Sequence, residues 1–240
     1  MTIDVDVASA LGVRGVTRVV HITPARNLPG ILRDGSIRSV ADMSVDARAV
    51  YAQNDLRRLD GHPDKVSCSL EYANAFYLRS VRADPRAINF PDWVCFLLRA
   101  EVAATRGALF CPRNAGATGG TKTPGVLGLE GCYATRVSGS GGQTFHRGPT
   151  HDPRCPTDVQ AEVLVPAPIP LSLAYGIVFP SDEAAADERV RLEQFSVPVP
   201  LHLHWVVARG MFETAAVTRA VQFSRPIVES NWNAGTGSSR

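Results

Sequence analysis

The chain has 240 residues, 45% of them hydrophobic, and a formal net charge of +2. That length supports one large domain or two small ones with ample core, and the near-balanced charge argues against a globally basic nucleic-acid binder. Five cysteines without a CxxC pair fit reduced thiols better than a zinc site or a disulfide framework. The opening "MTIDVDVASALGVRG" has neither the basic nor the apolar region of a signal peptide, and no run approaches a membrane span, so the expected location is cytoplasmic.

In chain order, "VTRVVHI" (16–22) reads as a strand. "TPARNLPGILRDG" follows as a short helix, with Thr23 as cap, Pro24 in the first turn and Gly35 at the end. Leu28, Ile31 and Leu32 share one face of it. Residues 41–59 are expected to be helical in part, and "LDGHPDKV" is a turn. "VSCSL" (66–70) alternates like a half-buried strand, with Ser67 and Ser69 on one face. "EYANAFYLRSVR" reads as a helix and "DWVCFLLRAEVA" (92–103) as a buried strand. Glycine, serine, threonine and proline dominate residues 112–157, which are expected to form long functional or mobile loops around a short element near 126–136. Strands at 159–165 and 175–180, an acidic helix at 182–194 and a strand at 201–207 complete the series. Residues 1–228 are expected to form one domain and 229–240 a disordered tail. The mixture indicates an α+β class.

Chemistry concentrates in "PTDVQAEVLVP". Strand alternation aims Gln160 and Glu162 at one face, roughly 7 Å apart. A buried carboxylate is expensive, so Glu162 must be paired, solvated or functional. The bland alternative is an edge strand with one wet face. His21 and Thr23 close the first strand, and Asn27 lies one helical turn further on. Arg58 is a candidate for bidentate phosphate binding. His202 and His204 share a strand face, but two ligands without a third make a weak metal site, and no metal is expected. No GxxxxGK[ST], GxSxG or HExxH motif occurs.

A strand with His-x-Thr, then Ser-x-Ser, then Gln-x-Glu resembles the order of ADP-ribosyltransferases. More closely, "HITPARNLPGILRDG", "NDLRRLDGHPDKVSCSLEYANAFYL", "FCPRNAGA" and "PTDVQAEVLVPAPIPLSLA" are similar to blocks of the DarT family of bacterial DNA ADP-ribosyltransferase toxins. These blocks run from about residue 18 to 180. Better-known members carry an aromatic F-Y-F segment where this chain has "SCSL", and the acceptor base stays open between thymine and guanine.

The resemblance implies a single α+β ADP-ribosyltransferase domain of two small packed mixed or antiparallel sheets with flanking helices. It implies NAD as co-substrate, single-stranded DNA as acceptor, nicotinamide as leaving group and a DarG-like macrodomain antitoxin as partner. It assigns Glu162 and Arg58 to catalysis. His21, Thr23, Asn27, Ser67, Ser69 and Arg58 fall to NAD, and Gln160, His146, Arg147 and Arg154 to the acceptor. Arg113, Lys122 and Arg136 join Arg147 and Arg154 as candidate phosphate contacts. Alternatives are an RNA or protein acceptor, NAD hydrolysis, or a non-catalytic nucleic-acid-binding module.

Overall fold

The computed structural model describes residues 1–42, 60–83, 92–117, 120–139 and 142–233. Among these residues there are six α-helices and thirteen strands. The helices are α1 (Val5–Val13), α2 (Leu28–Asp34), α3 (Ala75–Ala83), α4 (Gly125–Cys132), α5 (Asp182–Gln194) and α6 (Thr214–Phe223). The principal strands are β1 (Arg18–Pro24), β3 (Lys65–Leu70), β4 (Trp93–Arg99), β5 (Leu109–Cys111), β9 (Glu162–Pro166), β11 (Ala174–Phe179) and β12 (His204–Val207). Short ones are β2 (Ser36–Ile37), β6 (Thr123–Pro124), β7 (Arg136–Ser138), β8 (Thr144–His146), β10 (Ile169–Pro170) and β13 (Ser230–Asn231).

One sheet runs β13-β12-β11-β4-β1-β3-β9-β5-β6. It has two halves. β1 pairs with β4 along its whole length, from Arg18↔Arg99 to Pro24↔Trp93. With β3 it makes only two residue pairs, Val19↔Leu70 and Val20↔Ser69. The rest of β3 turns to β9, from Lys65↔Pro166 to Cys68↔Val163. β3 is therefore the seam, and beyond Val20 the strands β1 and β3 part. Pairing is antiparallel except between β11 and β12. The α+β class with flanking helices is as expected, but the strands form one large mixed sheet rather than two small packed ones, because β3 joins the two halves.

Helices cover both faces. On one, Val19, Leu70, Phe96, Phe110 and Val163 pack against Val7 and Leu11 of α1, Leu28 and Ile31 of α2, and Leu192 of α5. On the other, Val20, Cys95, Leu97 and Val178 pack against Leu78 of α3 and Val217 and Ala220 of α6. β4 is buried on both sides from Trp93 to Leu98, which explains its uninterrupted apolar run.

Local expectations hold where the signal is strong. Ser181 caps α5, its side chain accepting from the Ala184 N–H, and Asp182 and Glu183 follow in the first turn. Gly35 ends α2 at a φ of 62°. Elsewhere the structure differs. Because β1 keeps its ladder with β4 to Pro24, Thr23 and Pro24 belong to the strand rather than capping a helix. A 3-10 turn, Ala25–Asn27, intervenes before α2. The helix read from residue 71 begins at Ala75, since Glu71 sits at a left-handed φ of 65°. The helical expectation at 41–59 falls almost wholly outside the described residues.

The expected tail is the clearest correction. Ser230 and Asn231 pair with Val207 and Val206 of β12. Glu229 grips the half-buried Arg18 at 2.6 Å. Trp232 lies 5.2 Å from Trp205, which in turn stacks on Phe179 at 4.6 Å. Residues 234–240 lie outside the described ones.

Candidate active site

β3 organises the site because both of its edges lead to candidate residues. Its pairing with β9 puts Ser67 opposite Leu164 and Cys68 opposite Val163, so Glu162 comes next, level with Ser69. On its other side Glu162 pairs with Cys111 of β5. Paired residues share a face and alternate residues return to it, so Ser67, Ser69 and Glu162 all face the same way. His21 lies where β1 leaves β3, and its Nδ1 donates to the Ser67 carbonyl at 2.9 Å. The Thr23 hydroxyl accepts from the Asn27 carboxamide at 3.1 Å, both residues being buried. Ser67, Ser69 and Glu162 thus share one face at this junction and His21 is held to Ser67 at its edge, while Thr23 and Asn27 lie further along β1 and the turn that follows it.

Glu162 is only 9% exposed. Its carboxylate meets hydrogen-bond donors on both oxygens. Asn74 Nδ2 donates to Oε1 at 3.0 Å, Asn114 Nδ2 to the same oxygen at 3.4 Å, and the Ala115 N–H to Oε2 at 3.0 Å. Burial pushes the carboxyl up to about 7. The Ala115 N–H and the Asn74 carboxamide pull against that rise, the negative charge of Asp60 adds to it, and the Ser67 hydroxyl opposes it. A carboxylate poised near neutrality can hold positive charge or exchange a proton under physiological conditions.

Nothing in the sequence alone marks Asn74 or Asn114 individually. Asparagine in a turn is ordinary, so neither stands out alone. The available signal was the Asn-Ala pair repeated in "EYANAF" and "CPRNAGA", two segments that meet only in the fold. Glu71 supports the first of them. It is fully buried, and its carboxylate accepts from the Thr17 N–H, from the Thr17 hydroxyl at 3.0 Å and from the Arg18 N–H at 3.3 Å. These bonds hold the left-handed turn from which Asn74 emerges.

Other expected site residues are placed differently. Arg58 lies outside the described residues. Gln160 is not on the strand: its N–H donates to the Asp158 side chain at 2.9 Å, and the Ala161 N–H to the Asp158 carbonyl at 3.0 Å. That local turn takes the residues before Glu162 off the ladder, so strand alternation does not align Gln160 with it. Arg154 makes a fork to Asp152 at 2.7 and 3.1 Å and reaches Glu71 at 3.6 Å. Arg147 donates to the carbonyls of Cys155 and Asp152 at 2.8 and 2.9 Å. Both guanidiniums brace the chain while staying partly exposed. Arg113 is also buried, 9% exposed, with the carboxylate of Asp158 near it. His146 and Arg136 remain exposed, directly opposite each other on the β7–β8 hairpin.

The segment expected to be mobile is heavily bonded between residues 147 and 158. The Tyr133 hydroxyl donates to the Arg154 carbonyl at 2.7 Å, the Thr157 hydroxyl to Ala134 at 2.6 Å, and His151 Nε2 to Pro156 at 2.9 Å. The Asp152 N–H reaches the Val221 carbonyl at 2.8 Å. Of the two terminal histidines, only His204 is on β12, while His202 Nε2 donates to the Leu171 carbonyl at 3.1 Å. Among the described residues no three His, Cys, Asp or Glu are grouped to hold a metal ion, and no helix is long and apolar enough to cross a membrane.

Comparison with known proteins gives a consistent answer. The family model described as ssDNA thymidine ADP-ribosyltransferase, DarT, matches residues 20–207. Among solved structures, DarT from Thermus sp. 2.9 in complex with ADP-ribosylated ssDNA is similar with a TM-score of 0.56. The identity is 16%, covering 83% of this chain and 97% of that one. The same protein in complex with NAD+ gives a TM-score of 0.53 and 17% identity, covering 82% and 98%. Thermosipho africanus DarTG in complex with ADP-ribose gives 0.50 and 13%, covering 82% of this chain and 51% of that chain. No curated protein matches.

Proposed function

The chain belongs to the DarT family of ssDNA thymidine ADP-ribosyltransferases, and on that premise we propose how its own residues carry out the transfer. It is an NAD-dependent enzyme that moves ADP-ribose onto a base of single-stranded DNA. When bound, NAD supplies the ADP-ribosyl group and a nicotinamide that departs with the electrons of its bond to the ribose. The residues at the β1–β3–β9 junction suit a ribose. They offer a buried carboxylate, two serine hydroxyls and a half-buried imidazole, acceptors and donors of the kind sugar hydroxyls need.

Glu162 accepts a hydrogen bond from the ribose hydroxyl next to the reacting carbon and steadies the positive charge that grows on the sugar. As the base nitrogen forms its bond to that carbon, Glu162 takes the nitrogen's proton. Ser67 and Ser69 line the nicotinamide side. His21 and Thr23, the latter pre-set by Asn27, hold the dinucleotide. Arg58 grips the pyrophosphate or orients the reacting ribose. Gln160, from the turn before Glu162, orients the base, and His146 with Arg136 contacts the strand. The acceptor base is thymine, as in the family's description, and single-stranded substrate avoids the cost of extruding a base from a duplex. The enzyme acts as a cytoplasmic toxin countered by a macrodomain antitoxin.

The buried, donor-cradled Glu162 at the seam of the sheet is the observation that carries this reading. Incubation with labelled NAD and separate pools of single-stranded DNA, RNA and protein tests it. Label is expected on the DNA. Label found only as free ADP-ribose would make the protein an NAD glycohydrolase and overturn the proposal.

A further inference from the structure

The two asparagines beside Glu162 are used alike. Asn74 Oδ1 accepts the Tyr77 N–H at 3.0 Å, capping the start of α3, and that bond turns its Nδ2 toward Glu162 Oε1. Asn114 Oδ1 accepts the Gly116 N–H at 2.9 Å, and its Nδ2 faces the same Oε1. In each case a backbone N–H settles which end of the carboxamide is oxygen. Flipping either amide would break a turn and set an acceptor against the carboxylate. The Ala115 N–H, one residue beyond Asn114, meets the second oxygen. The contacts from both segments are therefore donors, fixed in direction by backbone geometry.

We propose that Asn74 is a positioning residue for ADP-ribosyl transfer: one carboxamide caps α3 and, together with Asn114 and the Ala115 N–H, holds Glu162 ionised and oriented toward the reacting sugar. This rests on the role given to Glu162 above. A neutral carboxylic acid would neither steady the sugar's charge nor take the base proton. Among the described residues, the other titratable groups whose charge couples to Glu162 are Asp60 from the turn before β3, Cys111 from β5 and, from the opposite face of β3, Cys68. Burial keeps both thiols protonated, and Asp60 adds negative charge. Among the described residues these neighbours do not favour ionisation, and the neutral donors do. Asn74 serves because its oxygen is already spent on the helix, which leaves only its N–H groups for the carboxylate.

Two variants separate the cap from the charge-holding role. Asn74→Ser keeps a capping oxygen but is too short to carry the Nδ2 donor to Glu162. Asn74→Asp keeps the cap and places an acceptor against Glu162. With the purified full chain, we expect Asn74→Ser to melt as cooperatively as wild type with little change in KM for NAD. Its acid-side kcat midpoint should move up by about one unit, giving roughly tenfold slower transfer below the midpoint. Asn74→Asp should move it further in the same direction. A second readout needs no turnover: the pH dependence of unfolding, each Asn74 variant being compared with its Glu162→Gln double, should report the same upward shift. Unmoved midpoints in both readouts, for a folded Asn74→Ser, would reduce Asn74 to a helix cap and overturn the proposal. If wild type transfers nothing, the Glu162 assignment fails by itself, and the unfolding series still decides whether Asn74 holds the charge.

Discussion

Replacing Glu162 by glutamine removes a charge while nearly preserving shape, and its consequences can be worked from the structure. Burial raises the Glu162 carboxyl from 4.5 to about 7. An acid whose folded value is raised gives stability that is complete below the unfolded value and is lost as pH climbs through the folded one. The window is therefore pH 4.5 to 7. The loss across it is about 3 kcal/mol, which for a chain of this length is roughly 6–12 °C in melting temperature. Glutamine does not titrate. Its NH2 meets one of the donors now serving the carboxylate, at a cost of about 1–2 kcal/mol that is the same at every pH. Melting of wild type and Glu162→Gln from pH 4 to pH 8 should thus give two curves that cross, the variant starting about 1–2 kcal/mol below wild type and gaining on it by about 3 kcal/mol as pH rises, while the variant transfers nothing throughout. Parallel curves would mean that Glu162 is ionised at both ends of the range and that burial does not strain it, refuting the electrostatic reasoning.

Arg154 was expected at the acceptor, whereas the structure spends it on Asp152 and Glu71. Arg154→Met should lower stability by roughly 2 kcal/mol, a figure reduced from that of a fully buried pair because Arg154 is itself about one-third exposed and screened. Urea unfolding checks it, and an unchanged midpoint with weakened DNA binding would restore the acceptor role. Truncation after residue 228 removes the partner of Arg18 and the Trp232 contact. It should cost on the order of 3 kcal/mol and lower the melting temperature, where a disordered tail would leave it unchanged.

Features carried by local pattern were legible in the sequence, and features carried by distant partners were not. The acidic helix α5 announces itself through Ser181 and two acids in its first turn, so its limits were read correctly. Glu162 could be picked out because a carboxylate beside Val163, Leu164 and Val165 demands an explanation. Gln160 was misaligned because alternation assumes an unbroken ladder, and Asp158 breaks it with a side-chain bond two residues on. Thr23 looked like a cap because Ser and Thr before a proline usually are, but a full ladder with β4 outweighs that propensity. Arg147 and Arg154 looked free in a glycine-rich stretch. The fold that occupies them joins Glu71, 83 positions away from Arg154, to the same brace. The tail read as disorder because its anchors, Arg18 and Trp205, lie on distant strands.

The most direct measurement is mass spectrometry of thymine- and guanine-containing single-stranded oligonucleotides after incubation with NAD, using wild type and a folded Glu162→Ala variant. Wild type should produce an ADP-ribosylated thymine oligonucleotide and release nicotinamide in equal amount, and the variant neither. A folded variant that retained near-normal transfer would contradict the assignment of Glu162.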